Sequence, residues 1–521
     1  MAETFTPVIL TNDSGQKLNA TYFNRLENNM ETFDDRIDAL EVGVSTHPVH
    51  AVGNSGTALT LDASSPSGWT KTITLNANCT FTFIGAASGR ATTLELVLTQ
   101  DSTGNRTVTW PDTVRWPNNQ APVLSTPGGT ADVVSLTTYN SGATWLGVLV
   151  GKGYGAVTFS SPITITSGGT YSGNWESLDP AVPAIRINTT APVIIQNSYI
   201  RSRGDCIRTI ASNANVTVQN CRAYGLNPGV AGTSPGRFFV SEQFNRVIID
   251  NNDIESTAGI YLLDKAGTGT ETDAVKIRRN RVKNIDGRQS TGAGFSTSLS
   301  NIAQFVQLDK VVAGGCEISW NEVINIPGQC ATEDLINIYE SRGTSTNKII
   351  IHNNFLDGSY PPSAATQGFS GGGIIADGAN NTSMAWLEVY DNQVVATVNY
   401  ALAIAAGNNC YMHDNRAVFS GELDDGTDVS ATNIGTYVWN VSGLTGFTNN
   451  RIDQNVIGWY QRPANTRNDG WYPDCAVGGC DANSSLHAGA ITLADEAAET
   501  SIWGTKRTTN GVTIGSTLLA L

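Results

Sequence analysis

A short pattern of apolar and polar positions recurs between Val193 and Ile452 and organises the chain. Apolar residues take the first, third and eighth positions and asparagine takes the sixth, as in VIIDNNDI. The nine copies begin at Val193, Val216, Val247, Val275, Cys316, Ile349, Leu387, Cys410 and Thr445. β-branched residues bounded by Asn and Gly favour strands. Spacings that start at 23 residues and vary irregularly predict a coil of three short parallel strands, with loops of different lengths.

Seven copies place an asparagine at the sixth position. These residues are Asn252, Asn280, Asn321, Asn354, Asn392, Asn415 and Asn450. The two earliest copies carry the asparagine one place early. Stacked about 4.8 Å apart on successive coils, the amides are expected to hydrogen-bond along the stack and to turn the chain at one corner. Asparagine also tolerates the left-handed backbone that a sharp corner needs, so we predict a structural role.

The repeated box resembles the right-handed parallel β-helix of pectate-lyase-like proteins and phage tailspikes, over about half of the chain. The resemblance implies this fold and says much less about activity. Residues 156–460 are therefore assigned to a single-stranded right-handed parallel β-helix. Residues 461–521 are assigned to a C-terminal cap or tip.

Two segments precede the repeats. Residues 1–50 contain a heptad seam that predicts a short parallel coiled coil; an amphipathic helix packed on its own domain is the alternative. The seam consists of Phe23, Leu26, Met30, Phe33, Ile37 and Leu40. In residues 51–155, runs such as TKTITLNANCTFTF alternate apolar and polar positions, and turn residues separate them. This pattern predicts a small antiparallel β-sandwich, so the chain as a whole is expected to be mainly β.

Both segments resemble parts of phage tail proteins. The phrase GQKLNATYFNRLENNM resembles the N-terminal region of tail-fibre and minor tail proteins. The phrases NCTFTF, TQD, TVTWP and TWLGVLVG resemble a domain that recurs in phage tail proteins. The resemblance implies a virion tail component that is assembled in the host cytoplasm. It also implies a homotrimer that joins other tail or baseplate proteins through its N-terminus.

The composition limits the partners. The formal net charge of −15 argues against nucleic acid and against acidic lipid surfaces. The start shows no signal-peptide pattern, and no run of about 18 apolar residues predicts a membrane span. The five histidines show no metal-binding spacing, and neither a metal nor a cofactor is predicted. Cys475 and Cys480 are close enough to pair, but free thiols are favoured because no secretion signal is visible.

The long insertions all follow the asparagine box and precede the next strand. They are Leu226–Gly236, Gly287–Asn301, Gly358–Gly372 and Gly421–Asn433. They are expected to leave the coil at one corner, and loops gathered on one side of a repeat protein usually form its binding face.

The strand after each loop ends in an acid in five successive copies. These acids are Glu242, Asp264, Asp309, Glu340 and Asp377. Carboxylates on adjacent or alternate coils would lie about 5 or 10 Å apart, which brackets the separations used by glycosidases. Crowding of like charge would raise a pKa, as a catalytic acid requires. The alternatives are solvated turn residues or calcium ligands. A lyase would instead need a base such as Lys265, Lys310 or Arg342.

Aromatic residues near the end of the repeats are candidate sugar platforms, and they could equally cap the coil. The predicted substrate-binding residues are Trp459, Tyr460, Trp471, Tyr472 and Tyr360. Together these patterns favour a tail fibre or tailspike that binds host surface polysaccharide and hydrolyses it. A fibre that binds or supports without catalysis is the second hypothesis. A free polysaccharide lyase or epimerase is the third.

Overall fold

The computed structural model describes residues 49–518, apart from 65–69, 127, 156, 266–273, 313, 369, 431–432, 444 and 463. The chain divides into two compact units, Met1–Ala156 and Val157–Leu521. The predicted coiled-coil seam from Phe23 to Leu40 lies outside the described residues. Within the described residues, no helix combines the length and the apolar character needed to cross a bilayer.

The first unit contains two sheets. In spatial order, the larger sheet contains Val49–Asn54, Thr70–Leu75, Thr92–Gln100, Ala131–Thr138, Trp145–Tyr154 and Val114–Arg115. The smaller sheet contains Ala58–Asp62, Cys79–Ile84 and Val108–Thr109. A 3-10 turn spans Pro117–Asn119. Alternate residues of the long strands are buried in one core that includes Trp145, which explains the period-two pattern of the sequence.

The antiparallel arrangement predicted for this unit is correct for two strand pairs only. Thr92–Gln100 pairs antiparallel with Ala131–Thr138, which pairs antiparallel with Trp145–Tyr154. All other pairs in the two sheets are parallel, because the first strands alternate between the sheets instead of folding back as hairpins. A period of two marks a half-buried strand and does not reveal the direction of its neighbour.

Three long parallel sheets make up the second unit. The acid sheet contains Ile163–Ile165, Ile185–Ile187, Ile207–Thr209, Phe239–Glu242, Gly259–Leu263, Gln304–Asp309, Asp334–Tyr339, Gly372–Asp377, Tyr400–Ile404, Ile434–Val438 and Gly470–Trp471. The box sheet contains Gly169–Tyr171, Val193–Gln196, Asn215–Gln219, Arg246–Asp250, Val275–Arg278, Cys316–Ser319, Ile349–His352, Ala385–Tyr390, Asn408–His413 and Arg451–Asp453. The helix sheet contains Asn174–Ser177, Tyr199–Ser202, Arg222–Gly225, Asp253–Glu255, Arg281–Lys283, Glu322–Ile324, Phe355–Ser359, Gln393–Thr397, Arg416–Phe419, Val456–Gln461, Thr466–Arg467 and Ser484–Ser485.

The chain visits these sheets in rotation. Val193–Gln196 of the box sheet is followed by Tyr199–Ser202 of the helix sheet and then by Ile207–Thr209 of the acid sheet. The strands pair in parallel with their counterparts on the next coil, as Val193–Gln196 does with Asn215–Gln219, except that Thr466–Arg467 pairs antiparallel with Val456–Gln461. This connectivity is consistent with a parallel β-helix. The apolar positions of the box point into one continuous core, which includes the buried cysteines Cys221, Cys316 and Cys410, none of which is in a disulfide.

The asparagine ladder occupies the corner between the box sheet and the helix sheet. In each pair, the backbone N–H and the Nδ2 of one asparagine both donate to Oδ1 of the next, as Asn321 does to Asn354 at 3.0 Å and 2.9 Å. The ladder runs through Asn252, Asn280, Asn321, Asn354, Asn392, Asn415, Asn455 and Asn483. From Asn252 to Asn455, the residue before each ladder position is left-handed, such as Asn353 with φ 53°.

The prediction for Asn450 is wrong, because Asn455 takes the ladder position on the last complete coil. Asn450 instead accepts the N–H of Cys410 and donates to Gly407, at the corner that precedes the box sheet. In the two earliest copies, Asn197 and Asn220 have φ 50° and hold the left-handed position. Their early placement in the sequence therefore marks the turn, one residue before the ladder.

Residues 484–518 return along the helix sheet. The helix Leu493–Thr509 begins with a capping box between Thr492 and Asp495. Its buried Glu499 pairs with Arg416, and Trp503 stacks on Phe355 with ring centroids 5.8 Å apart. Beyond the helix, Ser516 reaches Asn220 near the other end of the coil.

Cys475 and Cys480 form a disulfide, which corrects the preference for free thiols. The glycine-containing loop between them brings the two Cα atoms within 6.4 Å, a separation that a disulfide spans. Loop geometry therefore decides this pair, whereas the expectation rested on the absence of a secretion pattern.

Candidate glycan-binding and catalytic face

The four long insertions connect the helix sheet to the acid sheet and rise along one edge of the latter. Hydrogen bonds between the loops show that they contact one another. Asn227 donates to the carbonyl of Gly294 at 2.7 Å, which ties the first loop to the second. The second loop is a hairpin of Arg288–Ser290 and Phe295–Ser300. The predicted gathering of these loops on one side of the coil is thus what the structure shows.

The remaining loops continue the same wall. Gln367 of the third loop donates to the carbonyl of Ser298 in the second, at 2.8 Å. The backbone N–H of Ser430 in the fourth loop donates to Ala364 in the third, at 2.9 Å. A continuous wall therefore borders the edge of the acid sheet at which its strands begin.

The five predicted acids do not form one ladder. Register places Glu242, Asp309 and Asp377 in one outward-facing column, with Leu263 and Tyr339 on the coils between them. The three acids therefore sit on alternate coils, with backbones about 10 Å apart. The column is consistent with the strand burial pattern, in which Leu262 and Leu308 point inward.

Asp264 and Glu340 occupy the next position along the chain, where φ is 48° and 44°. Strand parity predicts that Asp264 points inward unless the turn re-aims it. The left-handed turn does re-aim it, and the side chain is exposed. Glu340 accepts hydrogen bonds from the loop residues Ala379 and Asn380, as a turn carboxylate does.

Asp309 is held by a tyrosine on the preceding coil. The hydroxyl of Tyr261 donates to Oδ2 of Asp309 at 2.8 Å. Burial and this hydrogen bond raise the pKa of Tyr261, so the phenol stays a donor. The guanidinium of Arg237 lies 5.2 Å from the centre of the Tyr261 ring and fixes its orientation.

A second group of carboxylates lies where the strands of the acid sheet begin. Asp334 is only 4% exposed, and it accepts hydrogen bonds from Tyr400 and from Asn337. Burial, helped by the nearby carboxylates of Glu333 and Asp377, raises the pKa of Asp334 to about 7, although the hydrogen bonds from Tyr400 and Asn337 oppose the rise. A carboxyl group that is half protonated near neutral pH is typical of general acids, and it also occurs in purely structural networks.

Asn337 brings the two groups of acids together. Its Nδ2 lies 3.0 Å from Oδ2 of Asp334 and 3.4 Å from Oδ2 of Asp377. Because both oxygens approach one nitrogen, they are at most about 6.4 Å apart. Asn337 therefore links the buried Asp334 to the half-buried Asp377.

Glu333 is the exposed member of the group and lies at the base of the loop wall. Its backbone carbonyl accepts the N–H groups of Gly371 and Gly372 at the end of the third loop. Its carboxylate accepts a hydrogen bond from Gln304, whose own oxygen is held by Arg237. Partial desolvation of the carboxylate raises the pKa of Glu333, and the charge of Asp377 acts in the same direction.

Sequence reasoning did not find Glu333, Asp334 or Asn337. The acids at strand ends drew attention because they recur, whereas Glu333 and Asp334 occur once, before a strand. The string ATEDLINIYE does contain a signal. Asp334 and Asn337 are polar positions within a strand that is otherwise buried, and buried polar groups need a reason.

The predicted aromatic platforms divide into buried and exposed residues. Trp459 is fully buried and Tyr360 is 2% exposed, so neither ring can receive a sugar in this structure. Tyr472 hydrogen-bonds to Thr436, and Tyr460 lies under the guanidinium of Arg462. Both of these contacts belong to the closing end of the coil.

Trp471 is 49% exposed and has an exposed neighbour that the sequence did not single out. Its ring centre lies 5.3 Å from that of Trp439, which is 41% exposed. Val438 is in the same column as Ala376, so Trp439, the next residue, is in the column of Asp377. It lies two coils further along, with a backbone separation of about 10 Å. An aromatic platform and the carboxylates thus share one face. Among the described residues, no cluster of three or more His, Cys, Asp or Glu side chains is arranged to hold a metal ion.

Comparison with known proteins assigns a class to part of the chain. Residues 63–146 match the family "Putative phage tail fibre C-terminal domain". The first unit therefore carries a phage tail fibre domain, and this domain indicates a component of the virion tail. Neither the curated proteins nor the solved structures contain a match to the chain.

Proposed function

We propose that this protein is a phage tail fibre that binds host cell-surface polysaccharide along the acid sheet and hydrolyses it. The observation that carries the proposal is the group of carboxylates Glu333, Asp334 and Asp377, which shares one face with an exposed tryptophan pair. The loop wall beside this face gives a long chain a surface to lie against. The tail fibre domain of residues 63–146 supports the location in the virion.

Glu333 is proposed as the general acid and Asp377 as the second carboxylate. Glu333 is accessible, and its raised pKa favours the protonated form that a leaving glycosidic oxygen requires. Asp377 is half-buried on the neighbouring strand and is held by Asn337. Asp334 is too buried to reach a substrate, so it acts as a positioning residue through Asn337. Trp439 and Trp471 would bind sugar rings on the coils beyond.

A fibre that binds glycan without cleaving it is the second candidate. The observation in its favour is that both oxygens of Asp334 are already bonded to protein groups. In that case Glu333, Asp334 and Asp377 belong to a structural hydrogen-bond network, and the face is a receptor-binding surface. Under either candidate function, the protein is proposed to be a homotrimer that attaches to the virion through residues 1–50.

The decisive experiment is incubation of the purified chain with surface polysaccharide of the host, with reducing ends and unsaturated uronate absorbance followed together. Hydrolysis produces reducing ends alone. Glu333→Gln and Asp377→Asn should each abolish their release while cell binding persists. Glu242→Gln, an exposed acid on the same sheet, is the matched control. Absorbance that rises with the reducing ends would indicate a lyase. Binding without any product would leave the second candidate.

A further inference from the structure

A cavity of about 490 Å³ opens on the box sheet near the last coils, outside the acid sheet. This volume lies in the range of small-molecule sites. The residues that line it include Lys348, Trp386, Asn409, Asn449 and Arg451. None of them takes part in the proposed cleavage.

Both charged residues that line the cavity are cationic, in a chain whose net charge is −15. Lys348 lies 3.2 Å from Glu388, and Arg451 lies 3.7 Å from Asp453. These carboxylates are not part of the lining. The side chains of Lys348 and Arg451 remain 32% and 43% exposed, so both can still meet an anionic ligand.

The polar and aromatic lining is held in place. The guanidinium of Arg451 lies 4.8 Å from the centre of the Tyr411 ring, which also stacks on His413. Nδ2 of Asn449 donates to Oδ1 of Asn409 at 3.2 Å. Trp386, Asn409, Tyr411 and Arg451 of the lining therefore belong to strands of neighbouring coils, which preorganises this part of the site.

Trp386 has an unusual backbone for its type. Its φ is 57°, a left-handed value that is rare for a bulky residue, and Asn409 and Asn449 on the next two coils repeat this turn with φ 54° and 57°. The pairing of its strand with the next coil skips it, because Ala385 pairs with Asn408 and Leu387 with Cys410. The indole is thus placed at the cavity by a local interruption of the ladder.

The loop closed by the Cys475–Cys480 disulfide forms one wall. Ala476 and Val477 line the cavity, and the N–H of Ala476 donates to the carbonyl of Asn450. The side chain of Val477 is fully exposed.

We propose that this cavity binds a carboxylated sugar. The pyranose ring packs on Trp386, and Arg451 and Lys348 attract the carboxylate. Asn409 and Asn449 face the hydroxyl groups. The site is separate from the acid sheet and does not depend on the proposed hydrolysis, so the fibre would hold an acidic polysaccharide at a second place.

The test is saturation-transfer NMR on the full chain with single sugars. The acidic probes are glucuronate, galacturonate and N-acetylneuraminate, and the neutral probes are glucose, galactose and N-acetylglucosamine. We expect transfer to an acidic probe and not to its neutral counterpart. Arg451→Gln and Lys348→Gln should each weaken the binding about tenfold, the effect of losing one charge-assisted hydrogen bond. Higher salt should weaken it as well.

Lys283→Gln, which removes an exposed cation from the helix sheet, is the matched control and should bind normally. Trp386→Ala should abolish the transfer, with circular dichroism as the check on folding. If that variant does not fold, the two charge variants still decide. Transfer to none of the acidic probes would overturn the proposal, as would transfer that Arg451→Gln and Lys348→Gln leave unchanged.

Discussion

Tyr400 donates a hydrogen bond to Asp334 across Gly372, which lies on the strand between them. A Cβ at position 372 would overlap both the carboxylate of Asp334 and the ring of Tyr400. The bond therefore requires glycine on the intervening coil. This relationship couples three successive coils at the base of the loop wall, and it fixes the buried carboxyl group next to the proposed catalytic pair.

Asp334 is expected to make the protein less stable as the pH rises. Burial raises the pKa of its carboxyl group from 3.8 to about 7. Between these values the folded state binds more protons than the unfolded state, so the free energy of unfolding falls with increasing pH. Asp334 should account for a loss of up to about 4 kcal/mol between pH 4 and pH 8. Denaturant unfolding of Asp334→Asn should show a correspondingly flatter profile.

Two further buried carboxyl groups contribute in the same direction, so the flattening will be partial. Burial raises the pKa of Asp357 to about 7 and that of Glu496 to about 8. The exposed Asp264 is the control, and Asp264→Asn should leave the profile unchanged. If the free energy of unfolding of Asp334→Asn depended on pH as steeply as that of the wild type, the raised pKa of Asp334 would be contradicted.

Removal of one central ladder amide should destabilise the coil. In Asn354→Ala, the N–H and Nδ2 of Asn321 lose their buried acceptor, and Oδ1 of Asn392 loses the Nδ2 donor while it keeps the backbone N–H of residue 354. We expect a loss of roughly 2–4 kcal/mol in the free energy of unfolding, because buried donors are left unpaired. Denaturant titration measures the change.

The neighbouring residue offers a matched comparison. Asn353 has φ 53° and is not part of the ladder. Asn353→Gly should cost far less than Asn354→Ala, since glycine adopts the left-handed conformation readily. Equal losses in the two variants would show that the turn, and not the stacked amides, stabilises the corner.

Glycan cleavage should depend on pH through Glu333. The pKa of this carboxyl group is raised above the usual value of 4.5, so the general acid keeps its proton to a higher pH than an ordinary glutamate. The rate should therefore fall on the alkaline side, as Glu333 loses its proton. Measurement of kcat/KM across pH on a fluorogenic oligosaccharide would locate this limb.

A substrate with a good leaving group separates a catalytic role from a structural one. Such a group needs no protonation, so Glu333→Gln should retain activity on an aryl glycoside while losing it on the polysaccharide. Asp377→Asn should be inactive on both. Loss of both activities in Glu333→Gln, with normal glycan binding, would refute the assigned role.

Truncation of Trp503 should release the C-terminal helix. The indole is 2% exposed, stacks on Trp320 and Phe355, and donates to Glu322. Trp503→Ala removes this packing, and such a change in a core lowers the free energy of unfolding by about 3–5 kcal/mol. We expect limited proteolysis to cut near residues 484–518 at least tenfold faster. The coil itself should remain protected; Ile502→Ala, a change at an exposed position, is the control.

The sequence was informative about the coil because its pattern repeats. The box fixed the order of strands, the core positions, the ladder corner and the side from which loops emerge. The assignment of Asn450 is wrong because two matches overlap: TGFTNNRI from Thr445 puts Asn450 at the sixth position, and NRIDQNVI from Asn450 puts Asn455 there. The antiparallel prediction for the first unit is largely wrong because alternation does not encode strand direction.

The candidate site was only partly visible for a related reason. Asp309 and Asp377 end strands and repeat, so a pattern search finds them. Asp334 and Glu333 acquire their properties from burial and from Tyr400, Gln304 and Asn337, which come together only in the folded chain. Trp439 was missed because its importance comes from lying beside Trp471 on the next coil.

The returning tail also imposes an order on biosynthesis. Ser516 hydrogen-bonds to Asn220, which precedes it by 296 residues. The early coils must therefore emerge from the ribosome and persist with this corner uncovered until residue 516 is made. The helix sheet is accessible during that interval, and docking of the tail covers it.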